Sequence, residues 1–266
     1  MSASLYVRII EKIFFNHYEK GSTSFDFKRE EIEAAAKSVG ATVPKNIGDV
    51  VYSFRYRYPF PASILKTCGK GKQWIIRGIG ASRYRFIQVP FTDTEPRQGL
   101  VQIKIPDSTP EIVSRYALGD EQALLAKVRY NRLIDIFTGV VTYSLQNHLR
   151  TQVEGGQIEI DELYVGLSKQ GTQYIIPVQA KGGKDRHGRT QLEQDLVFCS
   201  KEFPDLVCRP IAAQFLPNDG IALFELAINE DRVEIVDEKH YKLVPASEIS
   251  ATDLRAMNPE KRGKHT

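Results

Sequence analysis

The 266-residue sequence is poor in sulfur: it has three cysteines and two methionines, and it carries a single tryptophan. Cys68, Cys199 and Cys208 are odd in number and scattered, with no histidine between or beside the last two. That pattern excludes a disulfide framework and a zinc ribbon, and it fits reduced thiols used as core packing in a cytoplasmic protein. No apolar run approaches the roughly 18 residues that a membrane helix needs, so no membrane span is expected. The opening MSASLYVRIIEKIFF lacks the basic start, long apolar run and small-residue cleavage site of a signal peptide. A phosphate-binding P-loop, a dinucleotide fingerprint, zinc spacing and a serine elbow are all missing, which excludes the chemistries those motifs announce. Internal repeats are absent too. What remains is a chain that is 42% hydrophobic, long enough for one large domain or two small ones.

The net charge is only +3, but it is unevenly spread. Residues 1–50 carry seven basic and seven acidic groups, residues 51–104 ten basic and two acidic, and residues 105–266 carry 19 basic and 24 acidic. The middle stretch is a positive island, and a polyanion is its natural partner.

Apolar residues at 5, 6, 9, 10, 13 and 14 predict an amphipathic helix over Leu5 to Tyr18. A polar loop follows, then a Glu- and Ala-rich helix from about Lys28 to Val39, stopped by Gly40. Pro44 suits the first turn of a third helix running to about Ser53. Short strands are expected over Ser63 to Thr67, Gln73 to Ile79 and Ser82 to Val89, the last two joined at Gly80 and Ala81. Three helices and a β-hairpin resemble a winged helix-turn-helix domain, in which the third helix enters the major groove and the hairpin is the wing. The positive island falls on the back half of this unit. Its candidate DNA-binding residues are Lys45, Asn46, Arg55, Arg57, Lys70, Lys72, Arg77, Arg83 and Arg85, interleaved with Phe54, Tyr56, Tyr58, Trp74, Tyr84 and Phe86.

Prolines at 90, 96, 106 and 110 mark a boundary, which places the first domain at residues 1–105 and the second at 106–256, before a basic tail at 257–266. A strand-like LVQIKI lies inside the boundary. Helical spacing is expected for DEQALLAKVRYNRLIDIF from Asp120 and for GVVTYSLQNHLRTQV from Gly139. A helix over Gln191 to Lys201 and the strands CRPIAAQF, IALFELAI and VEIVDEKHYKLV complete an α/β order with a mixed sheet flanked by helices.

The most informative segment is Gln157 to Lys181, where two β-rich runs flank SKQGT. With Ser168 to Thr172 as the loop, Asp161 lies opposite Gln179 and Glu159 opposite Lys181, all projecting from one face. An acid, an amide oxygen and an ammonium converging at a hairpin end suit a divalent metal held beside a phosphate, which points to a nuclease. Gly182 and Gly183 follow, where backbone can approach a ligand closely.

The pattern EID, hairpin, QAK resembles the PD-(D/E)XK nuclease superfamily, and Q-X-K resembles its Mrr-like, restriction-endonuclease branch. The likeness covers Gln157 to Asp195 and includes the following helix TQLEQDLVFC. It implies Asp161 as first metal ligand, Gln179 in the acid position, the Ala180 carbonyl completing the metal set, and Lys181 steadying the attacking water. The proline that usually precedes the first acid is replaced by Ile160, and the acid-to-glutamine change removes one negative charge from the metal set. Glu121 or Asp135 is a candidate further acid from the preceding helix. Glu162 points to the opposite face of a regular strand, and Gln191 and Gln194 stand near the start of the next helix. Lys184 and Arg186, in the loop after Lys181, are candidates to grip the DNA backbone, and His187 is read as exposed loop surface.

These observations together lead us to expect a Mg²⁺- or Mn²⁺-dependent type II restriction enzyme that cuts double-stranded DNA as a homodimer, with dimerisation on the DNA as one route. The alternatives are a repair or junction nuclease using the same site, and a non-catalytic winged-helix regulator.

Overall fold

The computed structural model describes residues 2–40, 42–92, 94–117, 120–153, 156–182, 187–229 and 231–257, and it is mixed α/β with two separate sheets. The chain opens with α1 (Ser2–His17), β1 (Ser24–Lys28), α2 (Glu30–Ser38), α3 (Gly48–Tyr56) and the single turn α4 (Ala62–Leu65). The hairpin β2 (Lys72–Gly80) and β3 (Arg83–Pro90) follows. These strands form an antiparallel sheet in the order β1-β3-β2. The apolar stripe of α1 puts Ile9, Ile10, Ile13 and Phe14 fully inside. The Phe14 ring meets Phe15, Tyr18, Phe25, Trp74 and Phe86 at 5.1 to 5.2 Å between centroids.

Two local expectations fail in this unit. The segment Ser24–Lys28, expected as a polar loop, is a strand, because the alternation of Phe25 and Phe27 puts both rings against the core. The strand expected over Ser63 to Thr67 is instead α4: Pro61 sits just before its first turn, and Ile64 turns inward.

The second unit begins with β4 (Gln102–Pro106), which joins the large sheet, so that sheet starts ahead of the expected boundary at residue 105. Then come α5 (Glu111–Tyr116), α6 (Glu121–Tyr130), α7 (Leu133–Thr138), β5 (Val141–Val153), β6 (Gly156–Leu167) and β7 (Gln173–Lys181). The chain continues through α8 (Arg189–Glu202), β8 (Val207–Cys208), β9 (Ile211–Phe215), β10 (Gly220–Asn229), β11 (Arg232–Val244) and α9 (Ala251–Met257). The eight-stranded sheet has the order β4-β11-β10-β9-β7-β6-β5, with β8 beside β7. α8 is the crossover between the parallel neighbours β7 and β9.

One face of β7 (Ile176, Val178, Ala180) packs with α6 and α7, and Ile175 packs on the opposite face with Phe198 and Cys199 of α8. A strand buried on both faces explains the nearly unbroken apolar run YIIPVQA. Asp120 caps α6 by accepting from the Ala123 N–H at 3.0 Å. Arg132, at φ 49°, separates α6 from α7.

The helix expected from Gly139 is the strand β5. Its apolar residues at 141, 145 and 149 satisfy helical spacing, and those at 141, 143 and 145 satisfy strand alternation. Pairing with β6 along its length selects the strand. The three cysteines are free, with Cys199 buried beside Cys208. Among the described residues no helix is long and apolar enough to cross a membrane.

Candidate functional site

The hairpin forms in the expected register as far as Glu162, and the expected partners Asp161–Gln179 and Glu159–Lys181 are not paired in the ladder. β6 and β7 pair from Leu167 with Gln173 inward to Glu162 with Val178, and Ser168 N–H donates to the Thr172 carbonyl at 3.0 Å to close the loop. The ladder stops there, one residue before Asp161. In β6, Ile158 and Ile160 share the α8-side cluster with Leu163, so strand alternation breaks between Ile160 and Leu163. Asp161 therefore stands where β6 and β7 part. Its carboxylate reaches across the fork and accepts the Ala180 N–H at 2.8 Å.

Four elements supply the surrounding groups. From the end of β7, Lys181 extends its ammonium to 3.7 Å from Glu121, the first residue of α6. From α8, buried Asp195 takes the Gln179 amide N–H₂ on both oxygens, at 2.9 and 3.1 Å, and Gln191 donates to the Gln179 oxygen at 2.6 Å. The Gln179 nitrogen also donates to the Glu159 carbonyl at 3.1 Å. From β5, His148 lies across from Asp161, between the pairs Asn147–Glu162 and Leu149–Ile160. Its Nδ1 is 3.6 Å from Glu159, which Arg150 also meets at 3.0 Å.

Burial governs the electrostatics. Desolvation raises the Asp161 carboxyl above its ordinary range; the Ala180 N–H and Lys181 oppose the shift, and Glu121 and Glu159 add to it. Asp195 is pushed well above that range, first by burial, with Gln179 opposing. His187, expected at the exposed surface, is buried edge-on against Phe224. Desolvation, aided by Lys181, lowers it to about 3.

The structure thus brings together Asp161, Ala180, Lys181 and Glu121. It turns the Gln179 amide toward α8, where both of its ends are hydrogen-bonded. The two candidate helix acids separate cleanly: Glu121 meets Lys181, whereas Asp135 accepts from the Thr142 N–H at 2.9 Å and pairs with Arg132. Glu162 pairs with Arg129 of α6 at 2.7 Å. His148 and Asp195 were missing from the sequence-based set. No local signal marks them, because they reach the fork from a strand mistaken for a helix and from within the crossover helix α8.

The expected DNA-contacting residues divide into groups. Lys45, Asn46, Arg57, Lys70, Lys72 and Arg83 are exposed. Arg57 lies 4.9 Å over the Tyr52 ring, and Arg55 5.1 Å over Tyr56. Arg85 is held by Asp26 at 2.5 and 3.0 Å. Arg77 is engaged elsewhere: it forms a bidentate pair with Glu193 of α8 at 2.6 and 2.9 Å, joining the two units. Tyr56 adds a hydrogen bond to Gln194. Lys184, Arg186 and the tail from 258 lie outside the described residues.

No protein-family model matches the chain, and no solved structure matches it. An N-acetyl-D-glucosamine kinase from Erwinia tasmaniensis is 36% identical over 83 residues, which is 30% of this chain and 27% of the kinase. The match therefore spans about a quarter of that relative's length.

Proposed function

We propose that the protein is a metal-dependent DNA endonuclease of PD-(D/E)XK type, with a winged-helix unit that binds double-stranded DNA and a type II restriction-like mode of action as a homodimer. The observation that carries this reading is the fork between β6 and β7, where an acid accepting a backbone N–H stands beside a lysine on the neighbouring strand. The order helix, strand, two helices, a further turn and a hairpin supports the winged-helix reading of the first unit.

The residues at the fork suit a divalent cation. Asp161 and Glu159 offer hard oxygens, and His148 adds a nitrogen. A bound ion would lower the pKa of a water and offset charge on the scissile phosphate. Lys181, only 18% exposed, would orient that water and meet the charge that builds on the phosphate oxygens, with Glu121 holding its ammonium in place. Asp161 must be ionised to act; burial raises its carboxyl, and a bound cation would oppose that shift.

The test is digestion of mixed-sequence duplex DNA with Mg²⁺ or Mn²⁺. Discrete bands from the wild type, and their loss in folded Asp161→Ala and Lys181→Ala variants, are the expected result. Cutting confined to branched substrates indicates a junction nuclease, and retained cleavage in both variants removes this site assignment. Failure to cut any substrate favours the non-catalytic regulator. Incubation with ATP and N-acetyl-D-glucosamine tests the partial likeness to the kinase in the same preparations.

A further inference from the structure

Asp161, Glu159 and His148 each offer one donor atom, and these atoms lie within 4.8 Å of one another. Around an ion at about 2.1 Å, donors on opposite sides are separated by roughly 4.2 Å and adjacent donors by roughly 3.0 Å, so the three atoms must draw together to close on an ion. The backbone delivers the histidine. β5 carries a register shift between Ser144 and Gln146, and His148 itself is left-handed at φ 48°. Its ring is about half exposed and Glu159 is 31% exposed, so the cluster opens to solvent at the sheet edge. Arg150 shares a Glu159 oxygen, so an ion must displace it or use the second carboxylate oxygen.

We propose that His148, Glu159 and Asp161 form a mixed nitrogen–oxygen centre that selects Mn²⁺ over Mg²⁺. Mg²⁺ and Ca²⁺ take oxygen ligands; imidazole suits the later first-row ions best and Mn²⁺ least among them, so the nitrogen tells against Mg²⁺, and Mn²⁺ serves as the paramagnetic probe of that preference. The proposal names the ion of the proposed nuclease and rests on the same fork, but it is tested without cleavage.

The experiment is an electron paramagnetic resonance titration of Mn²⁺ into the full chain without DNA, followed by Mg²⁺ competition and nitrogen hyperfine measurement. Wild type should bind Mn²⁺ with resolved ¹⁴N coupling, and Mg²⁺ should displace it only in large excess. His148→Asn retains a residue that tolerates the left-handed backbone. It should abolish the ¹⁴N coupling and weaken Mn²⁺ by at least about tenfold, since even outer partners of metal ligands have effects of that size. Asp161→Asn should abolish binding, and thermal melts confirm that both variants fold. Absence of Mn²⁺ binding in the wild type, bound Mn²⁺ without ¹⁴N coupling, or unchanged affinity in His148→Asn overturns the centre. A nitrogen-ligated Mn²⁺ in a protein that cuts no DNA leaves the centre standing and removes the nuclease. Equal Mg²⁺-dependent cutting by wild type and His148→Asn does the reverse.

Discussion

Around Phe14 the three-stranded unit buries aromatic rings against one another, and among its described buried residues Ser53 alone is polar. Around β7 the large sheet buries Glu162, Gln179, His187, Gln194 and Asp195. The first interior is what maximal apolar burial gives, with Trp74, Phe25 and Phe86 added from three strands. The second carries groups whose burial is unfavourable unless each finds a partner, at about 1–3 kcal/mol for each that does not. The first core is held by apolar packing and the second carries the polar groups of the candidate site, and α8 connects them through Arg77–Glu193 and Tyr56–Gln194.

The largest expected effect is on the dry side. Phe14→Ala removes the hub of the aromatic cluster and should lower stability by about 3–5 kcal/mol in a denaturant titration. A loss within about 0.5 kcal/mol, the size of a surface substitution, would show that the cluster collapses around the gap and does not anchor this unit.

On the polar side, His187 makes stability depend on pH. Its pKa is lowered from 6.5 to about 3 in the folded protein, so between those values the unfolded chain binds a proton that the folded chain does not. Its contribution is therefore fully present above pH 6.5 and is lost as pH falls, by at most about 1.4 kcal/mol per pH unit. Asp195, raised by burial, acts in the opposite sense, so the wild-type profile alone is ambiguous. His187→Gln should gain stability relative to wild type as pH is lowered from 6.5 to 4.5. Parallel profiles would contradict the buried, neutral histidine.

The link between the units comes next in size. Arg77→Ala leaves Glu193 with Arg189, and Tyr56→Phe removes one hydrogen bond. Each should cost about 1 kcal/mol, the Arg77 figure discounted for partial exposure. The double variant should separate one calorimetric transition into two. A single transition that merely shifts would mean that the units cooperate through other contacts.

Much of this architecture was legible because it is local. The loop SKQGT and the alternation on either side gave the register from Leu167–Gln173 to Glu162–Val178, but not the break in alternation that sets Asp161 against the Ala180 N–H. The two-sided burial of β7 showed in its apolar run. β5 was not legible, because an edge strand with Val141, Tyr143 and Leu145 exposed has no buried face to impose a period. Asp195 and His148 were hidden for a related reason: their positions follow from a crossover and from a pairing, neither of which is written in neighbouring residues. The charge island was visible, but its ion pairs were not, since Asp26 lies on a strand read as a loop and Glu193 belongs to the other unit.

Asp26 gives the smallest and sharpest test of the comparison. It pairs with Arg85 and lies 3.8 Å from Arg83, and the hydrogen bond from Arg85 holds its carboxyl below the ordinary range. At neutral pH it therefore offsets part of the positive charge on the β2–β3 hairpin. Asp26→Asn should leave the unfolding midpoint almost unchanged, because the pair is solvent-exposed. If the hairpin contacts DNA, the same change frees arginine charge for phosphates. It should then tighten binding at low salt and steepen the log–log salt slope by up to about one. Arg83→Ala should flatten that slope by a similar amount. If both variants bind with the wild-type slope, the hairpin is outside the interface, and the exposed Lys45, Asn46 and Arg57 remain as the contacts to test.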